Sequence, residues 1–194
     1  FDNGTPWAWQ ATCFFGLMHA CGLRTCEARR LRVCDVNLVA PSLDIMWSKG
    51  NRSRRLAITG EVAGMLKRCD AETSALFGQG RHSFFVNGSG NPAGSTTVGV
   101  VFRRIWRAAG LPESKGGKSP RPYCFRHRFA YANLERWRKE GVDVAEMLPY
   151  LARYKGHSTF DSTYYYVHTS PDFMEEYAAV VAESDVSVLP EVGF

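Results

Sequence analysis

The 194-residue sequence contains no Cys-x-x-Cys pair. Its cysteines are Cys13, Cys21, Cys26, Cys34, Cys69 and Cys124, four of them among apolar residues of the first 34 positions. That spacing excludes a zinc knuckle or a dithiol redox centre and reads as reduced core cysteines of a cytosolic protein. Long hydrophobic runs are missing too. The most apolar stretch, Trp7 to Leu23, is interrupted by Gln10, Thr12 and His19, too short and too polar to span a bilayer. No signal peptide is visible, and the first residue is Phe1 rather than Met, so we expect a cytoplasmic fragment of a longer protein with no membrane partner. Carboxylates are nowhere clustered as a divalent-metal site requires, and neither metal nor cofactor is expected. Beyond Ser170 there is no Lys or Arg, only Asp172, Glu175, Glu176, Glu183, Asp185 and Glu191.

The residues that are present describe a folded, basic protein. Hydrophobic residues make up 45% and aromatics 13%, enough apolar area to exclude a disordered chain. The formal charge is +5, from 24 Lys+Arg against 19 Asp+Glu. Its distribution says more than its size. Arg103, Arg104, Arg107, Lys115, Lys118, Arg121, Arg126, Arg128, Arg136, Arg138 and Lys139 are opposed between positions 103 and 139 only by Glu113 and Glu135. A basic centre with an acidic tail suits a surface facing nucleic acid and a terminus facing protein; the plainer reading is a solvated basic face.

Pattern and punctuation predict a mostly helical α+β protein with one small antiparallel sheet. Trp7 to Cys21 is helical and closed by Gly22; Thr25 and Glu27 to Val33 form a second short helix, with Asp35 opening a turn. Leu43 to Trp47 and Arg54 to Ile58 are strands joined by a hairpin at Lys49-Gly50-Asn51. Helices are expected over Glu61 to Asp70, Val98 to Ala109, Phe125 to Lys139, Val144 to Arg153, Phe160 to Val167 and Pro171 to Glu183. Phe84 to Gly94 is a loop following a short apolar strand, and Glu113 to Pro122 is a polar, basic loop.

Three clusters stand out: Gly22-Leu23-Arg24-Thr25-Cys26-Glu27, Tyr123-Cys124-Phe125-Arg126-His127, and Lys155-Gly156-His157-Ser158-Thr159 followed by Tyr164-Tyr165-Tyr166-Val167-His168. With these the chain resembles the catalytic domain of the tyrosine recombinases, the phage-integrase type of site-specific DNA recombinase, over nearly its whole length. Gly22, Leu23, Arg24 and Glu27 match the family's Gly-Leu-Arg-x-x-Glu; Lys49, Gly50, Asn51 and Arg54 match its Lys-Gly-Asn-x-x-Arg hairpin. Arg126-His127 falls on His-x-Leu-Arg-His. Gly156, His157 and Ser158, with Tyr166-Val167-His168 nine residues past the His, fall on Leu-Gly-His-Ser-Ser and Tyr-x-His. The resemblance is nearest to integrases of mobile elements in Gram-positive bacteria. It implies a mostly helical catalytic-domain fold spanning 1–194 without the N-terminal core-binding domain. It also implies a segment, 171–194, that docks on a neighbouring protomer.

The residue types suit the implied chemistry. Breaking a phosphodiester without metal requires cations on the nonbridging oxygens, an activated nucleophile and an acid for the leaving oxygen. Arg24 and Arg126 present planar paired donors to a phosphate, His157 donates a further hydrogen bond, and Lys49 protonates the departing 5′ oxygen. Tyr166 attacks to form a 3′-phosphotyrosine. Each assignment has a plainer rival: Arg24 as a cap paired with Glu27, His157 as a structural histidine, and Arg52, Arg54 or Arg55 competing with Lys49. Three consecutive tyrosines point about 100° apart on a helix, and periodicity does not choose among them. The resemblance, through the spacing from His157 and the following Val-His, implies Tyr166 over Tyr165, with Tyr164 assigned to the core. Glu27, His127 and His168 are read as supporting, and Arg52, Arg54, Lys115, Lys118, Arg121 and Arg128 as DNA-binding. Tyr123 departs from the pattern, standing where the family has His or Lys. A phenol is a poor proton acceptor at neutral pH but a good donor, so Tyr123 is expected to contact the scissile phosphate.

The expected partners are double-stranded DNA and further protomers, tetrameric on DNA and monomeric or weakly oligomeric when free. The rival classes are DNA relaxation of the type IB topoisomerase kind and a catalytically silent DNA-binding module.

Overall fold

A computed structural model describes residues 4–48, 52–112, 121–157, 163, 165 and 166, and leaves the side chains at 47, 48 and 52 undescribed. The chain opens with α1 (Trp7–Cys21) and turns at Gly22 into α2 (Thr25–Arg29). Gly22 has φ 59°, and a Cβ there would lie 2.5 Å from the Phe129 ring. Left-handed backbone and close approach together make glycine the residue for this turn. The second helix stops at Arg29 rather than reaching Val33, and one turn of 3-10 helix follows at Val33–Asp35. The cause is local. The Asp35 carboxylate accepts from Arg32 N at 3.0 Å and Arg32 Nε at 2.8 Å, which takes that backbone donor out of the helical ladder.

A three-stranded antiparallel sheet follows in the order β1 (Val36–Asn37), β2 (Ser42–Ser48), β3 (Arg52–Ala57). Leu43 pairs with Leu56, Asp44 with Arg55 and Ile45 with Arg54, and the ladder shifts between Ile45 and Ser48. Alternation puts Leu43, Ile45 and Leu56 in the core and leaves Asp44 and Arg55 outside as an ion pair at 2.7 Å. The turn carrying Lys49 lies outside the described residues.

Helix α3 (Gly60–Phe77) begins at Thr59, whose hydroxyl accepts from Val62 N at 3.4 Å. It runs past Asp70 because its buried stripe of Val62, Leu66, Cys69 and Thr73 keeps helical spacing. The apolar run at Phe84 forms no strand. Its backbone makes isolated bridges, Arg32 to Ser83 and Val86 to Pro92, and Gln10 serves as its neighbour: the buried amide accepts from Val86 N at 2.8 Å and donates to Val86 O at 3.0 Å. A side chain thus meets the backbone requirement that a sheet partner would otherwise meet. Helices α4 (Ser95–Ala108), α5 (Cys124–Lys139) and α6 (Val144–Lys155) follow. Asp143 caps α6 by accepting from Ala145 N at 2.7 Å.

The main core gathers α1, the sheet, α3, α4 and the Phe84–Val86 run, with Phe14 and Phe85 meeting edge to face at 5.0 Å. A second cluster of Ala130, Leu134, Trp137, Leu148, Leu151 and Tyr166 fills the space around α5 and α6. Phe15 on Phe125 and Phe129 stacked on Tyr154 join the two regions. Along this seam the sequence motifs meet. Thr163, Tyr165 and Tyr166 are helical; the expected helix at 171–183 and the tail beyond it lie outside the described residues. Among the described residues, no helix is long and apolar enough to cross a membrane. The expectation of core cysteines holds for Cys13, Cys21 and Cys69, which are buried, and fails for Cys26, Cys34 and Cys124, which are exposed.

Candidate active site

The centre is built on the C-terminal end of α6. The last carbonyls of a helix lack intrahelical partners, and here arginines from separate elements take them. Gly156 (φ 64°) closes the helix: its N–H donates to Arg153 O at 3.0 Å and His157 N donates to Ala152 O at 2.9 Å, a Schellman turn. Arg54 from β3 donates through Nε to Tyr154 O at 2.7 Å. Arg24 donates to Lys155 O at 3.5 Å and Gly156 O at 3.1 Å. Arg126 donates through Nη2 to Lys155 O at 2.6 Å and through Nη1 to Gly22 O at 2.7 Å. Arg24 and Arg126, 102 positions apart in sequence, therefore share one carbonyl oxygen, and the negative end of the helix dipole favours both cations.

Glu27 organises this cluster. It is buried, and its two oxygens accept from Arg24 N at 2.9 Å, Arg24 Nη1 at 2.8 Å, and Arg54 Nη1 and Nη2 at 3.0 Å each. Burial acts to raise its pKa, but the Arg54 and Arg24 contacts prevail and hold the carboxyl at about 2. Arg54, grouped by sequence with the DNA contacts, turns inward to Glu27 with its side chain 9% exposed, while Arg55 faces outward. A Cβ on Gly156 would come within 2.8 Å of Arg54 Nη1, so the turn is closed by both backbone angle and space. Arg126 is completely buried and its Nε has no hydrogen-bond partner. Burial and the neighbouring Arg24 lower its pKa to about 10.

His157 lies beside this cluster, its Nδ1 2.7 Å from Thr163 Oγ1. Burial, then Arg126 and Lys155, push its imidazole down to about 3, so the ring is neutral at physiological pH. Its plane is within 5° of that of Tyr166, centroids 6.2 Å apart. The Tyr166 ring is 3% exposed and also meets His127 at 5.4 Å and Tyr131 at 5.5 Å. Burial raises its phenol to about 12, with Tyr123 adding to the effect and Arg126 opposing it. Tyr165 is 54% exposed; Tyr164 lies outside the described residues. Tyr123 precedes α5, exposed, with its ring edge-on to His127 at 4.7 Å. His127 is half-buried, and burial with the nearby Lys155 and Arg126 lowers its pKa.

Arg24, Glu27, Tyr123, Arg126, His127, His157 and Tyr166 therefore gather in one place. Arg121 and Arg128 stand exposed near the start of α5, Arg128 with Glu135 at 3.8 Å. Lys49, Lys115, Lys118 and His168 lie outside the described residues, as does the Arg52 side chain. Sequence reasoning missed Lys155, Thr163 and Tyr131. Lys155 directly precedes Gly156-His157 and so was within reach of a motif reading; Thr163 and Tyr131 carry no local signal. Among the described residues, no three His, Cys, Asp or Glu side chains gather as a metal site would require.

Solved structures share this architecture. The XerH site-specific recombinase bound to palindromic difH substrate, in a post-cleavage complex, aligns with TM-score 0.70 at 20% identity, covering 94% of this chain and 48% of that one. The XerA recombinase aligns with TM-score 0.69 at 19% identity, covering 89% and 57%. The fold is that of the tyrosine recombinase catalytic domain. Among curated sequences, a protein of Sinorhizobium fredii assigned as an integrase/recombinase is 32% identical over 160 residues, covering 82% of this chain and 51% of its own length. A tyrosine recombinase of Thermosipho africanus is 27% identical over 155 residues, covering 79% and 48%. The phage integrase family matches residues 2–172, and the chain belongs to that family. It spans about half the length of the curated relatives it matches.

Proposed function

We propose that this chain carries the catalytic centre of a site-specific DNA recombinase that cleaves and rejoins strands without metal, through a covalent 3′-phosphotyrosine. The observation that carries the reading is the convergence of Arg24 and Arg126 on one carbonyl oxygen, with His157 and Tyr166 enclosed beside them. Two guanidiniums and a neutral imidazole form a donor set for the nonbridging oxygens of a phosphodiester. Arg126 Nε, buried and without an acceptor, is a donor that a phosphate oxygen would satisfy.

Tyr166 attacks phosphorus, the bond from phosphorus to the 5′ oxygen breaks, and the phenolic oxygen takes its place. The Tyr166 proton passes to water or to the phosphate, and Lys49 protonates the leaving 5′ oxygen. Attack by a 5′ hydroxyl reverses the step. His157, neutral at working pH, acts as a hydrogen-bond donor, and Tyr123 contacts the same phosphate. Arg52, Lys115, Lys118, Arg121 and Arg128 hold the duplex backbone. Arg54 and Glu27 fix Arg24; His127 and His168 support the nucleophile. The protein works on double-stranded DNA as a tetrameric synapse, with 171–194 docking on a neighbouring protomer. The narrower assignment, to integrases of Gram-positive mobile elements, rests on the motif resemblance alone.

The test is incubation with a nicked suicide duplex. The expected result is a protein–DNA adduct that survives denaturation, persists in EDTA and disappears with Tyr166→Phe. An adduct that survives Tyr166→Phe, or none from the wild-type protein, would overturn the reading.

A further inference from the structure

One group in this centre has no part in the reaction just described. Lys155, the last residue of α6, is completely buried at the position where the motif quoted above has leucine. Its Nζ lies 3.6 Å from the centroid of the Tyr166 ring and donates to the Arg126 carbonyl oxygen at 3.3 Å. Among the described residues no carboxylate pairs with it. The groups that face it are Arg126 and His127 from α5, Arg24 from the cap of α2, His157 beyond α6, and Tyr166 itself. Burial, then Arg126 and Arg24, lower its pKa to about 6. At neutral pH the amine keeps its N–H donors without adding another cation beside the arginines. A buried amine without an anionic partner is a costly substitute for an apolar side chain, so its placement calls for a use.

We propose that Lys155 is a positioning residue for strand cleavage, holding the Tyr166 ring against the Arg126 backbone so that nucleophile and phosphate ligand share one anchor. The inference rests on Tyr166 being the nucleophile. It follows from geometry: one amine touches the ring of the attacking residue and the main chain of the residue that binds the phosphate. A ring freed from this contact can tilt within its cluster, and displacement of a reacting group by about 1 Å costs roughly a hundredfold in rate.

The experiment uses the full-length protein and the nicked duplex. It measures the single-turnover rate of adduct formation, DNA affinity and thermal stability. Lys155→Met keeps length and volume but removes the N–H groups. The expected result is adduct formation slowed roughly ten- to hundredfold, DNA affinity unchanged, and a melting temperature equal to or above that of the wild type. Lys155→Gln restores a donor and recovers much of the rate. Wild-type rate in Lys155→Met overturns the proposal, as does a rate loss matched by equal losses of affinity or stability. Should Lys155→Met fail to fold, Lys155→Gln decides alone: near-wild-type rate supports the donor role and complete loss overturns it. Tyr166→Phe, run alongside, separates the two readings. If it still forms adduct, the nucleophile assignment fails; if it does not and Lys155→Met is unimpaired, only the role of Lys155 falls.

Discussion

Replacing Glu27 with glutamine should loosen the whole cationic cluster. The carboxylate accepts four N–H groups, two of them from Arg54. A glutamine offers one oxygen and turns its NH2 toward a guanidinium, leaving the nearly buried Arg54 charge without its counter-ion. The Glu27 carboxyl is held at about 2 against an ordinary 4.5. At about 1.4 kcal/mol per tenfold change in proton affinity, that difference is worth about 3 kcal/mol. Because the folded-state value is lowered, this contribution is complete above about pH 4.5 and is lost as the pH falls toward about 2. Urea unfolding of wild type and Glu27→Gln at pH 7 should therefore give midpoints separated by about 3 kcal/mol of stability with similar slopes. The difference should narrow as the titration proceeds to pH 2. A double-mutant cycle with Arg54→Met should show strong coupling, since each variant removes half of the same buried pair. A difference below about 1 kcal/mol at pH 7, the range of an exposed pair, or one that does not change with acid, would refute the account of Glu27 as the organiser of this site.

Other expected outcomes are more direct. Gly156→Ala requires a left-handed alanine and displaces Arg54, and should cost about 1–3 kcal/mol in a denaturant melt; a neutral result would mean that the turn has another conformation available. Tyr123→Phe should lower the cleavage rate modestly and Tyr123→His should remain active in the suicide-duplex assay; a Tyr123→Phe protein as dead as Tyr166→Phe would exclude the hydrogen-bonding role. Truncation after Glu183 should impair assembly on DNA, seen by native gel, without changing the melting temperature, and unchanged assembly would count against docking in trans.

Much of the scaffold is legible in the sequence because its signals are local. A mostly apolar run and the Gly22 stop define α1 to the residue, and Gly-Leu-Arg-x-x-Glu describes a cap in which Arg24 and Glu27, three apart, meet. Local signals failed where a distant group decided the outcome. Phe84–Val86 has the composition of a strand, yet the Val86 backbone is satisfied by the Gln10 side chain, 76 positions away on a helix, and Phe84 N by the Leu31 carbonyl. Strand alternation with Leu56 puts Arg54 on the inward face and Arg55 outside, but only packing of distant elements gives Arg54 its partners, Glu27 and the Tyr154 carbonyl.

The same division runs through the site. The sequence by itself determined which residue types are present for phosphate chemistry; the choice among the three tyrosines came from the family resemblance, through the nine-residue interval from His157. Tertiary structure alone decided that three guanidiniums share the end of one helix and that a lysine lies sealed beneath the Tyr166 ring. The physical reason is range: caps, turns and periodicity act over a few bonds, whereas burial and the pKa values it moves arise only when elements far apart in the chain exclude water from the same space.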